Sequence, residues 1–155
     1  MDIRDRLLQN LILKYGNLAN ASRNLNLSYN ILQNWSYKTS YPNLIHLQLI
    51  SEKSKINASF WISDNFLIST SSSLFSQSEV LTFYVQKNIR KLMREKGIQR
   101  NQLIRSYKFQ DCMSAYTFDN YRFGRTSGIP LFRLEELASF FDCKPNKLLE
   151  VTDNE

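Results

Sequence analysis

The stretch LNLSYNILQNW, residues 25–35, decides the fold. Leu32 and Trp35 stand three residues apart and so share one face of a helix. Leu25 and Leu27 add apolar positions just ahead of it, and Ser28 sits where a helix wants an N-cap. The spacing predicts a helix over 28–37. Its buried side is Ile31, Leu32 and Trp35, and its outward arc is Tyr29, Asn30, Gln33 and Asn34.

Working outward from it, the same periodicity recurs on both sides. DIRDRLLQNLILKYG predicts a first helix with Leu7, Leu8, Leu11, Ile12 and Tyr15 inward and Gly16 as its stop. Asn17 then caps a second, with Leu18, Ala21, Ser22 and Leu25 inward. Pro42 suits the first turn of a fourth helix, carried by Leu44, Leu47 and Ile50. Asn57 caps a short fifth, in which Phe60 and Trp61 close the core. Residues 1–65 are thus expected to form one five-helix, all-α domain.

Residues 66–78, FLISTSSSLFSQS, break the periodicity with a serine cluster and predict a linker. Phe66, Leu67, Ile68, Leu74 and Phe75 make it less than freely flexible. Residues 79–155 then repeat the plan. A long helix carries Leu81, Val85, Ile89, Leu92 and Met93, with Gly97 as its stop. A short one follows around Leu103 and Ile104. A third carries Phe118 and Tyr121, and Pro130 and Pro145 open two more. Overlaying the halves sets Trp35 on Tyr121, Pro42 near Pro130, Ile56 on Cys143 and Trp61 on Leu148, an offset of about 86 to 88 residues.

The 155 residues suffice for one medium or two small domains, and 43% hydrophobic content with 13% aromatics excludes a disordered chain. The net charge of +6 divides evenly: seven basic residues against four acids in 1–65, thirteen against ten in 79–155. An anionic partner is compatible with that excess, which alone is a weak signal. Cys112, Cys143 and the lone His46 cannot complete a four-ligand zinc site. Nothing resembles a signal peptide, and no apolar run approaches the roughly 18 residues of a membrane span. The expectation is a soluble cytoplasmic protein without cofactor or metal, with no evident small-molecule ligand. With no phosphate loop and no nucleophile signature, it is not expected to be an enzyme.

LNLSYNILQNWSYKTSYPNLIHLQLISEKSKINASFWI resembles the helix-turn-helix domain of phage repressors and Cro-like (XRE-type) regulators. The match is carried by Leu25, Leu27, Ser28, Trp35, Pro42, Leu44, Leu47 and Ile50; Ser22 stands where that family favours alanine. IRKLMREKGIQRNQLIRSY with SAYTFDNYRFGRTSGIPLFRLEELASFFDCKPNKLL resembles a second, more divergent copy. The turn KFQDCM before its third helix is longer and lacks the usual apolar-Ser step. The resemblance implies two tandem five-helix lambda-repressor-like domains, 1–65 and 79–155, in a transcriptional regulator that binds double-stranded DNA. A homodimer that doubles the first copy is the alternative arrangement, and an AT-rich composition suggests a phage or mobile element.

In such a domain the recognition helix sends side chains to base edges in the major groove. Asn and Gln amides suit adenine, donating and accepting together. The expected base readers are Tyr29, Asn30, Gln33 and Asn34, with Tyr116 and Asn120 on the second helix, near 114–123. The expected phosphate contacts are Asn17, Ser28, Lys38, Lys91, Arg94, Arg100, Arg122 and Arg125. Asp119, on the outward side of the second helix, would repel phosphate. The rival class is a helix-turn-helix-derived protein-interaction or dimerisation module with little DNA binding.

Overall fold

The structure, a computed structural model, describes residues 1–66 and 74–152. Residues 67–73 of the expected linker lie outside the described residues. Among the described residues ten α-helices follow one another: α1 (Ile3–Tyr15), α2 (Leu18–Leu25), α3 (Tyr29–Ser36), α4 (Leu44–Ser54), α5 (Ala58–Trp61), α6 (Leu81–Lys96), α7 (Arg100–Ile104), α8 (Tyr107–Gln110), α9 (Ala115–Arg122) and α10 (Leu131–Phe140). A 3₁₀ helix, Pro145–Leu149, follows α10. There is no strand among the described residues, only one isolated antiparallel bridge between Asn43 and Pro130.

The helices start and stop where side chains satisfy their free backbone groups. Asp2 caps α1 through the Asp5 N–H, and Asn17 caps α2 through the Asn20 N–H. Asn43 caps α4 in a capping box, its own N–H donating to His46 Nδ1. His46 also sets its ring edge-on to Trp35, 5.2 Å between centroids, so the lone histidine is part of the structure. Gly97 ends α6 in the left-handed region at φ 63°. Leu7, Leu11, Leu25, Leu32, Trp35, Leu47 and Trp61 form one end of the core; Val85, Ile89, Phe118, Leu134, Leu137 and Leu148 form the other.

Several expectations need correction. Ile12 points to solvent, 44% exposed, because the inward stripe of α1 runs through Ile3, Leu7, Leu8 and Leu11. Pro42 is not in the first turn of α4: it lies in the extended segment before it, where its carbonyl accepts from Leu131 N–H. Asn57 precedes α5 but does not cap it with its side chain, which instead accepts from the N–H groups of Ser76 and Gln77 and holds the returning chain. Where a single second helix was expected around Leu103 and Ile104, two short ones, α7 and α8, are found. Ser106 caps α8 by accepting from Phe109 N–H.

The same backbone details recur about 86 or 87 residues on. Thr39 N–H donates to the Asn34 carbonyl (2.9 Å) as Arg125 N–H does to Asn120 (2.8 Å). Lys38 and Gly124 share a positive φ after α3 and α9, and Lys55 and Asp142 share one after α4 and α10. Two buried amides repeat as well, 78 residues apart, on carbonyls that recur 87 residues on. Asn10 Nδ2 donates to the carbonyls of Trp61 and Ser63, and Asn88 Nδ2 to those of Leu148 and Glu150.

The seam between the halves is reciprocal, as contacts across a twofold axis are. Leu44 N–H donates to the Ile129 carbonyl and Leu131 N–H to the Pro42 carbonyl, both at 2.9 Å. Ile3 N–H donates to Glu135 Oε1 (2.6 Å), and Leu81 N–H to Gln48 Oε1 (2.7 Å). In each case the first residue of a long helix is met by a side chain of the other half, from α10 or from α4. α1 packs on α10, α4 on α6, and α5 on the 3₁₀ helix. Tyr41 on Phe132 and Lys144 on Asp64 add to the contact.

Candidate nucleic-acid interface

The first candidate surface is built by α2, α3 and the turn between them. Asn26 adopts the left-handed conformation (φ 54°, ψ 38°), which Asn tolerates better than most residues, and thereby ends α2. Leu27, 8% exposed, plugs the turn from below while Ser22 Oγ donates to its carbonyl (2.5 Å). Ser22 thus earns its place where the family favours alanine: it ties the turn together. Ser28 is the N-cap by position, its carbonyl accepting from Ile31 and Leu32, but its hydroxyl makes no capping bond.

With Leu32 and Trp35 fully buried, α3 turns Tyr29, Asn30 and Asn34 to solvent and leaves Gln33 half-buried. The structure therefore brings all four expected readers to one outward side. Lys38 follows at φ 62°, its Nζ 3.3 Å from Asp5. An exposed pair of this kind contributes only about 0–1 kcal/mol, so a phosphate can replace the carboxylate at small cost. Asn17 is committed through its side chain to the Asn20 N–H.

The second candidate surface follows the same plan with different detail. Met113, 7% exposed, sits in the turn before α9 as Leu27 does before α3, and Ser114 follows it. The apolar-Ser step expected to be missing is present as Met113-Ser114. It was hidden because α8 adds a turn of helix upstream. Ser114 Oγ here does cap its helix, accepting from Thr117 N–H (3.1 Å). Phe118 and Tyr121 are buried, leaving Tyr116 74% exposed and Asn120 half-buried.

Asp119 is not an outward acid. Arg100 clasps it with two bonds, Nε to Oδ1 (2.9 Å) and Nη2 to Oδ2 (2.7 Å), and Arg122 lies 3.4 Å away. The bond from Arg100 holds the Asp119 carboxyl below its ordinary range, and the charges of Arg100, Arg122 and Arg125 push the same way. Arg100 and Arg122, expected at phosphates, are thus partly spent within the protein. Arg125 is exposed, its guanidinium 5.0 Å from the Phe123 ring. On α6, Lys91 pairs with Glu95 at 3.9 Å, Arg94 is exposed, and Lys87 lies over Phe83.

Sequence reasoning missed the Asp119–Arg100 clasp and the buried Asn10 and Asn88. The two asparagines carried a usable signal: each stands three residues past an inward apolar position, Leu7 or Val85, on an otherwise apolar stripe. Both cysteines are free thiols, half-buried, and burial pushes both thiols up. No cluster of metal-ligating side chains and no helix long and apolar enough to cross a membrane occurs among the described residues.

Comparison with curated proteins and with solved structures gives no match. A family comparison reaches the second half of the chain, the one whose resemblance looked more divergent. Residues 88–154, from the middle of α6 onward, match the model of the Cro/C1-type HTH DNA-binding domain, a DNA-binding regulatory family that is not typically enzymatic.

Proposed function

We propose that the chain is a sequence-specific transcriptional regulator of the phage-repressor kind. In this reading two helix-turn-helix domains, 1–65 and 79–155 joined by 66–78, pair within one molecule. The observation that carries it is the reciprocal seam. Such dimers place two recognition helices in successive major grooves, about 34–36 Å apart along one face of the duplex. Here α3 and α9 occupy matching positions in the two halves, so one chain would cover two unlike half-sites.

In this proposal Tyr29, Asn30, Gln33 and Asn34 read one half-site, and Tyr116 and Asn120 the other. Asn17, Ser28, Lys38, Lys91, Arg94, Arg100, Arg122 and Arg125 meet phosphates. Support comes from the side-chain chemistry and exposure on α3, and from the family match over 88–154. The better set of readers is on α3, since α9 offers one exposed tyrosine and one half-buried amide.

The alternative, a protein-interaction module, is favoured by one feature of the second half. Two of its arginines are tied to Asp119, and Tyr107 and Tyr116 stand 86% and 74% exposed. Gel-shift titration against random and promoter-region duplexes at two salt concentrations separates the two. The proposal expects binding that weakens with salt, and loss of sequence preference in Asn30→Ala with Gln33→Ala. Absence of binding at low salt would sink it; binding with unchanged preference would remove α3 from the interface. A Lys91→Ala, Arg94→Ala pair with an unaltered salt slope would take α6 off the DNA.

A further inference from the structure

The matched halves differ at one place along the seam, and the difference is a cavity. Tyr41, just before the bridge, sets its ring edge-on against Phe132 of α10, 5.3 Å between centroids, under the Arg4 guanidinium at 4.6 Å. Its hydroxyl is buried without a hydrogen-bond partner, and burial pushes its pKa far up. On the opposite side of the seam the corresponding residues are Gly128 for Tyr41, Ile45 for Phe132 and Thr82 for Arg4. Three large side chains are exchanged for a glycine and two smaller ones.

Ile45 and Thr82, the counterparts of the two residues that Tyr41 packs against, stand in the wall of an open space on the other side. There a cavity of about 580 Å³ lies between α4, the start of α6 and the loop after α9. That volume falls within the usual range of small-molecule sites. Its walls are mostly apolar: Leu44, Ile45, Val80, Leu81 and Phe83. Among the described residues Arg125 is the charged one that lines it, and Gln48, Thr82, Gln86 and Ser127 are the neutral polar groups.

We infer that this cavity is a binding site for a small aromatic carboxylate. The ring takes the place that Tyr41 fills across the seam, and the carboxylate meets the Arg125 guanidinium, whose planar fork matches a carboxylate. The site touches both halves and the loop that follows α9, so an occupant bridges the seam. The inference rests on the proposed pairing of the halves but not on DNA binding.

The molecule itself supplies the blocking variant. Gly128 does not have a positive φ, and a Cβ built there would meet only Ile45 Cδ1 at 3.6 Å, an ordinary contact. Gly128→Tyr therefore copies Tyr41 into the cavity, and Ile45→Trp fills it from the opposite wall. The test is isothermal titration of the full chain, without DNA, using indole-3-carboxylate and benzoate. The expected result is saturable binding of at least one probe, one molecule per chain, weakened tenfold or more in Gly128→Tyr and in Ile45→Trp and retained in Gly128→Ala. No saturable binding of either probe up to millimolar concentration would overturn the inference, as would unchanged affinity in either folded filling variant. Gel shifts on the same samples keep the two proposals apart: probe binding without DNA binding defeats only the regulator, and the converse defeats only this site.

Discussion

Glu135 and Gln48 hold matching positions on α10 and α4, and each accepts from the first N–H of the other half's long helix. The amide does this without charge, whereas the carboxylate must be partly buried to do it. Burial pushes the Glu135 carboxyl above its ordinary range, with Asp2 and Asp5 adding to the rise and the Ile3 N–H opposing it. An acid raised in the fold keeps protons that the unfolded chain has released. Its contribution therefore favours the fold at low pH and is withdrawn as pH rises through the carboxylate range to the raised value. Glu135→Gln, which copies Gln48, is expected to remove that loss. Thermal unfolding at about pH 4.5 and about pH 7 should show a smaller fall in Tm on raising the pH than the parent shows. Asp119 runs the other way, its pKa lowered mainly by the bond from Arg100. Asp119→Asn should destabilise the chain at neutral pH and matter progressively less below the ordinary carboxylate range, as the parent's own Asp119 takes up its proton. Neither carboxylate's role was legible in the sequence, because each depends on a partner placed by tertiary packing.

At the scale of helices, the sequence was most informative where apolar spacing alone decides burial. Leu32, Trp35, Phe118 and Tyr121 face inward as their three-residue spacing requires, and Asn17 caps α2 as expected. Periodicity failed where a short element leaves too few residues to show a period, as in α7 and α8. It failed again where a buried position carries an amide. Asn10 and Asn88 bind the long first helix of each half to the carbonyls that end it, two bonds apiece. Replacing either with leucine leaves those carbonyls without their donor inside the core, at about 1–3 kcal/mol. Urea titration of Asn10→Leu and Asn88→Leu should give losses of that size at both sites. A loss at only one would mean that the matching bonds do unequal work. Trp35→Ala, which empties the side chain at the centre of the first half, should cost more, about 3–5 kcal/mol.

For the whole molecule, apolar patterning made the all-helical character of the chain legible from residues alone. Which faces pair was not legible, since the backbone bonds at Pro42, Leu44, Ile129 and Leu131 leave no trace in side-chain chemistry and the seam's side-chain contacts, such as Glu135 and Gln48, meet partners that only tertiary packing brings near. The candidate readers on α3 were visible as the polar arc left by a buried Leu32 and Trp35. The clasp on Asp119 was not, because Arg100 reaches it from a separate helix. The proposal that follows from the seam is that one chain does what a repressor dimer does with two. The most direct test is sedimentation of the chain with a duplex that it binds, to count chains per site, combined with footprinting of that duplex. The expected result is one chain protecting two unlike half-sites, about 34–36 Å apart. Two chains on a symmetric site, each protecting one half-site through the same α3, would contradict it.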